Sequence, residues 1–273
     1  MFVAALLAAA VVVVAALLLP SLLRARRRRE LQRTPLGAPL AAILDRRLPL
    51  RAALPPQLRR VHDERIRVFL AEKEFVGCNG LVVVDEIRAT VAGQACLLLL
   101  GRPGSVYDEL RSILVYPTAF WVEDEVHDED GLVTRRRRML AGESWDSHRI
   151  VLSWEDIAES VATPEDGFNL VLHEFAHYLE SEGRGLAAPA APGRGIDDWA
   201  DDLADEFDAL LAQLEQGRDT FLDPYAAEDE TEFFAVATED FYERPALLRD
   251  AHPALYGLLR EFYGVDPAGW VSG

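Results

Sequence analysis

The block Val171-Leu172-His173-Glu174-Phe175-Ala176-His177-Tyr178-Leu179-Glu180 constrains this 273-residue chain more than any other stretch. Its apolar residues, with Phe168 and Leu170 just ahead of it, belong in a core, yet it carries two histidines and a glutamate there. Burying such groups without partners is costly. The composition favours a helix, with Asp166 placed to cap its start and Gly183 to end it. On a helix His173 and His177 stand one turn apart on the same face. That spacing lets two imidazoles reach one Zn²⁺ at about 2.0–2.1 Å, with Glu174 near the open position as general base toward a water. The bland alternative is a pair of core histidines satisfied by backbone carbonyls.

A catalytic zinc takes three protein ligands, so the third must come from elsewhere in the chain. The stretch from Tyr225 to Phe241 is rich in carboxylates. Glu228, Asp229 and Glu230 read as a solvated acidic start. Glu232 stands directly before Phe233 and Phe234, and Glu239 lies two turns on along the same helical face, so both can turn inward. Glu232 is the expected third ligand, and Glu239 an expected partner for one of the histidines.

A formal net charge of -18 excludes nucleic acid as the main partner, because phosphate binding needs a basic face. Cys78 and Cys96 are too few for a disulfide scaffold and lack paired-ligand spacing, so they read as buried thiols in a reducing compartment. Residues Phe2 to Leu23 form an apolar run broken only by Pro20 and Ser21, long enough to span a hydrocarbon core of about 30 Å. A cleaved secretory signal would carry its positive charge before that run, whereas Arg24 and Arg26 to Arg29 follow it. The order predicts a single-pass anchor with the remainder facing the cytoplasm. The chain therefore divides into an anchor (1–23), a basic juxtamembrane linker or solvated linker helix (24–54) and one large domain (55–267).

Within that domain the spacing of Leu58, Val61, Ile66, Phe69 and Leu70 predicts a helix over Gln57–Lys73. Leu81–Ile87 reads as a short β-rich segment, and Arg88–Leu100 as a buried helix closed by Gly101 and Pro103. Ser112–Val122 and Ser147–Trp154 read as a hairpin or sheet edge around a polar excursion. In that excursion the acidic run at Glu123–Asp130, with His127 as a solvated group or cation ligand, and the basic run Arg135–Arg138 are expected as loop. Val151–Trp154 is either a sheet edge open to an extended peptide or a plain buried strand. Gly183–Gly195 reads as a loop. Asp198–Leu214 reads as an acidic amphipathic helix burying Trp199, Leu203, Phe207, Leu210 and Leu214. Thr231–Tyr263 reads as two or three helices broken at Pro245 and Pro253. The expected fold is α+β, a mostly helical body with a small mixed sheet, preceded by one N-terminal transmembrane helix.

Six blocks, Val91–Leu100, Ile113–Pro117, Gly142–Trp145, Leu152–Trp154, the HExxH stretch and Glu232–Val236, together resemble the Mlc titration factor A family of bacterial zinc peptidases. The core is also similar to that of anthrax lethal factor. The resemblance implies a zincin-like, gluzincin-like fold and one Zn²⁺ per chain held by His173, His177 and Glu232, with Glu174 as the catalytic base. It also implies that Tyr225, seven positions before Glu232, stabilises the tetrahedral intermediate. A tyrosine merely packed in a turn after Pro224 is the alternative. The implied function is a regulatory zinc metallopeptidase acting on a peptide or protein substrate; its expected place at the bacterial inner membrane comes from the N-terminal apolar run alone. The other implied function is a binding protein that sequesters a transcriptional repressor, Mlc-like, with the zinc mainly structural. Two features depart from the family: Glu180 stands where aspartate is usual, and the best-known member has no membrane anchor.

Overall fold

The computed structural model describes residues 19–102, 104, 106–127, 133–140, 142–146, 148–186 and 195–270. Its first surprise is the stretch expected as a linker. Residues 19–33 are helical (α1), followed by Ala38–Arg47 (α2) and Leu50–Ala53 (α3). Leu44, Leu48 and Leu54 are buried in the core. A Cβ on Gly93 would come within 2.8 Å of Leu44 Cδ2, so glycine is what lets this layer approach so closely. Arg28 pairs with Glu72 at 2.6 Å. Residues 24–54 are thus corrected from linker to part of the packed body, because their leucines have a core to enter and their arginines have carboxylates to meet. The apolar run Phe2–Leu23 lies outside the described residues except for 19–23, where Leu19, Leu22 and Leu23 are exposed. Among the described residues no helix is long and apolar enough to cross a membrane.

Helix α4 (Pro56–Glu72) forms as its periodicity predicts, with Pro56 in its first turn and Ile66, Val68 and Phe69 buried. It runs directly into β1 (Glu74–Gly77), after which α5 (Asp85–Leu97) leads to β2 (Ser112–Tyr116). The strand is therefore Glu74–Gly77 and not Leu81–Ile87, whose Val82 is 75% exposed. After β2 come β3 (Phe120–His127), β4 (Val133–Leu140), β5 (Gly142–Asp146), β6 (Arg149–Ser153) and α6 (Trp154–Ala162). The main sheet has the order β1-β2-β6-β5. Phe75 lies beside Ile113 and Ile113 beside Ile150, both in parallel pairings, whereas β5 runs antiparallel to β6. The sheet is mixed, as expected, but β2 and β6 are parallel neighbours rather than a hairpin. Strand β6 is interior, so Val151–Trp154 is not a sheet edge; the antiparallel end strand is β5. The polar excursion also differs: β3 and β4 form a separate ribbon in which Glu123, Asp124 and Glu125 face Arg137, Arg136 and Arg135 in register. These positions are therefore strands and not a loop.

The remaining elements are α7 (Leu170–Leu186), α8 (Ile196–Glu215), a 3₁₀ turn (Pro224–Ala227), α9 (Glu230–Glu243), α10 (Pro245–Ala251), α11 (Pro253–Tyr263) and a second 3₁₀ turn (Pro267–Gly269). Pro245 and Pro253 open α10 and α11, as the sequence predicts. The helix of α7 passes through Gly183, which does not end it; of the loop expected from there, positions 187–194 lie outside the described residues. Two aromatic clusters hold α7 and α9. Phe175 of α7 meets Tyr107 at 4.8 Å and Phe69 at 5.8 Å between ring centroids. Phe234 of α9 meets Phe262 at 5.0 Å, which stacks on Trp199 of α8 at 5.2 Å. Truncating one such ring typically costs about 3–5 kcal/mol. Each of the two helices that position the site is therefore held by its own aromatic cluster. Of the two cysteines only Cys96 is buried; Cys78 is half-buried, and both are free thiols.

Candidate metal centre

Helix α7 starts at Asn169 rather than at Asp166. The Asn169 side-chain oxygen accepts from Leu172 N–H at 3.1 Å, and its carbonyl accepts the first helical bond, from His173 N–H at 2.9 Å. Asp166 instead turns the chain locally, accepting from Phe168 N–H at 2.9 Å. From this start the helix carries His173 and His177 on one face toward α9. Helix α9 is itself capped by Asp229, whose Oδ1 accepts from the N–H groups of Thr231 and Glu232 at 2.8 and 2.9 Å.

The structure brings His173, His177 and Glu232 together, their ligating atoms all within 4.8 Å of one another. Nε2 of His173 lies 3.0 Å from Glu232 Oε2 and 3.0 Å from His177 Nε2, and His177 Nε2 lies 3.3 Å from the same carboxylate oxygen. On its far side His173 Nδ1 hydrogen-bonds Glu239 Oε1 at 2.8 Å. Donating that proton to a carboxylate leaves the Nε2 lone pair facing inward. Lone pairs that converge in this way repel one another unless a cation sits among them. An imidazole, imidazole and carboxylate set matches the preferences of a first-row divalent metal, so the residues present fit a metal ion.

The electrostatics agree with that demand for positive charge. Burial opposes a charge on His173, but Glu232 and Glu239 outweigh it and hold its pKa up to about 10. Burial likewise pushes Glu232 up, and the two imidazoles more than reverse this, keeping its carboxyl well below the usual range. Tyr225 is half exposed, its ring centroid 6.1 Å from that of His173. Partial burial and the neighbouring Glu232 carboxylate raise its phenol above the ordinary value, so it stays protonated. Glu174 is only 4% exposed and lines the same cavity as His173 and Tyr225. The five residues expected from the sequence, His173, Glu174, His177, Tyr225 and Glu232, thus surround one place, and Glu239 stands behind it.

Sequence reasoning missed two supports. Asn169 donates its backbone N–H to Glu239 Oε2 and its side-chain amide to Glu243 Oε1 at 2.8 Å. Glu243 also accepts from Glu165 N–H at 3.0 Å. Glu239 and Glu243, one turn apart on α9, therefore hold the first turn of α7. The signals were present: an asparagine directly before an apolar helix, and a glutamate four residues after another. By contrast, His177 Nδ1 is buried with no hydrogen-bond partner among the described residues, so one imidazole is braced and the other is not.

An α+β body whose two histidines, a turn apart, meet a glutamate from a second helix defines a protein with a candidate catalytic metal site. Residues 22–264 match the family described as glucose-regulated metallo-peptidase M90, and the chain belongs to that family. It is 39% identical over 242 residues to an uncharacterised protein of Synechocystis sp., covering 88% of each chain. It is 36% identical to Mlc titration factor A of Pectobacterium atrosepticum over 73% of this chain and 76% of that one. With Mlc titration factor A of Klebsiella pneumoniae it shares 34% identity over 81% of this chain and 84% of the other.

Proposed function

We propose that this chain is a zinc-dependent peptidase with a zincin-like catalytic domain, in which His173, His177 and Glu232 hold one Zn²⁺. The observation that supports this most is the convergence of those three side chains beside the buried carboxylate of Glu174. The ion would supply Lewis acidity toward a water and a carbonyl oxygen. Glu174 accepts a proton from the water as its oxygen bonds to the carbonyl carbon, then delivers that proton to the departing nitrogen as the C–N bond breaks. The protonated Tyr225 phenol donates a hydrogen bond to the oxyanion that forms between those steps. Glu239 keeps His173 in one tautomer throughout. Strand β5, antiparallel and at the end of the sheet, is the place for an extended peptide to add a strand.

The same proposal makes residues 1–23 a single-pass anchor in a bacterial inner membrane, with the domain in the cytoplasm. Its supports are the arginines that follow the apolar run and the exposed Leu19, Leu22 and Leu23. Membrane fractionation of the full chain and of a variant lacking residues 2–18 tests it: equal partition of the two would remove the anchor.

A second reading is supported by the names of the relatives: as Mlc titration factors, they suggest that this chain captures a transcriptional repressor. The two readings part at Glu174, because holding a metal needs no general base. Zinc content and peptide-library hydrolysis of the full chain, wild type against Glu174→Gln, decide between them. Stoichiometric zinc in both proteins with cleavage only in the wild type is the expected outcome. Zinc without cleavage in either would favour the binding protein, and absence of zinc would remove the site assignment.

A further inference from the structure

A cavity of about 500 Å³ opens from the metal centre, where His173, Glu174 and Tyr225 line it, and runs between the start of α7, the segment 220–225 and α9. Each of the other polar groups in its lining already has at least one partner inside the protein. Asp166 accepts from Phe168 N–H at 2.9 Å, and Asp223 from Tyr225 N–H at 2.8 Å. Thr220 donates to the Leu222 carbonyl at 2.9 Å. Glu239 serves Asn169 and His173. Arg244 is ion-paired with the fully buried Asp240 at 2.5 Å and lies over the Phe221 ring, 4.7 Å from its centroid. Gly167, at φ +91°, lets the chain pass directly against that guanidinium, where a Cβ would come within 2.3 Å of it.

Between these groups the cavity presents an apolar wall: Phe168, Leu170, Phe221, Leu222 and Val236. Leu170, Leu222 and Val236 are no more than 4% exposed, whereas Phe168 is 45% exposed at the surface. The two rim carboxylates, Asp166 and Asp223, disfavour an acidic group, and Arg244 does not offset them because Asp240 neutralises it. The volume lies within the range usual for ligand pockets.

We propose that this cavity is a specificity subsite that takes a large apolar or aromatic side chain of the substrate next to the bond that is cut, with Phe168, Phe221 and Val236 setting the preference. This deepens the peptidase reading and rests on it.

The test uses the zinc-loaded full chain and three hydroxamates that share one chelating end: acetohydroxamic acid, 3-phenylpropanohydroxamic acid and succinic monohydroxamic acid. The phenyl compound is expected to bind about 10- to 100-fold more tightly than acetohydroxamic acid, the range for burying one aromatic side chain. The acidic compound is expected to gain nothing. In Val236→Phe, which fills the cavity, and in Phe168→Ala, whose exposed position spares the fold, the phenyl advantage should shrink. Equal affinity for all three compounds, or an advantage that survives both substitutions, overturns the subsite while leaving the metal site standing. If neither zinc nor any hydroxamate binds, the peptidase reading falls. The cavity is then decided by ligand-detected NMR with N-acetyl-phenylalanine amide against N-acetyl-alanine amide. Selective binding of the first keeps an apolar subsite, and binding of neither removes it.

Discussion

His62 and His173 are both buried, at 0% and 8% exposure, yet they are driven in opposite directions. His62 lies in α4, where it donates from Nε2 to the Gly93 carbonyl at 2.7 Å. Burial outweighs that bond, and with the positive charge of Arg51 nearby its pKa falls to about 4. His173 is held up to about 10 because Glu232 and Glu239 reach it from α9. A neutral carbonyl on one ring nitrogen makes a structural histidine, and two carboxylates make one that demands a cation. The difference between core and metal centre thus lies in which helix faces the ring, not in how deeply the ring is buried.

The strongest way to break this contrast is to take away the shared carboxylate. Glu232→Ala should weaken zinc affinity by more than about 100-fold, beyond the loss usual for an outer support. Competition with a chelator measures it, and near-normal affinity would mean that another residue completes the site. Next in size is the acid response of the other histidine. The folded-state pKa of His62 lies below its unfolded value, so its contribution is complete above about pH 6.5 and is lost as pH falls toward 4. That loss is worth about 3 kcal/mol. Arg51, Asp63 and Arg59 also face this ring, so the comparison is wild type against His62→Phe by urea unfolding of the metal-free protein. The substitution should flatten the difference between pH 6.5 and 4, and parallel curves would remove the assignment. A smaller effect is expected for Glu239→Gln, about 10- to 100-fold in zinc affinity, with the metal-free fold retained by circular dichroism. Asp229→Ala should cost only about 1 kcal/mol, the value of one helix cap, read as a shift in the urea midpoint.

Much of the centre was legible because its geometry is local. HExxH encodes two residues one turn apart, and Glu232 announces itself by preceding two aromatic residues that must be buried. The sheet was less legible because its pairings are not local. Nothing in Glu74–Gly77 by itself says that Phe75 lies beside Ile113, and four residues leave no room for an alternating pattern. The ribbon was missed for a different reason. Its strands are marked by opposed charge, Glu123–Glu125 against Arg135–Arg137, and charge runs ordinarily read as solvated loop. The cap at Asn169 was displaced by three residues to Asp166 because either side chain can bond a nearby N–H. The linker reading of 24–54 failed because arginine content hid three leucines, Leu44, Leu48 and Leu54, that the core absorbs.

Glu232, Glu239 and Glu243 lie along one helix, the second two turns and the third three turns beyond the first. Each helical residue advances about 100° around the axis. A point substitution therefore alters one of the three at a time, whereas adding or removing a single codon between them swings the later members away from α7 together. In that stretch the reading length of the gene is itself under structural constraint, independently of which residues are written there.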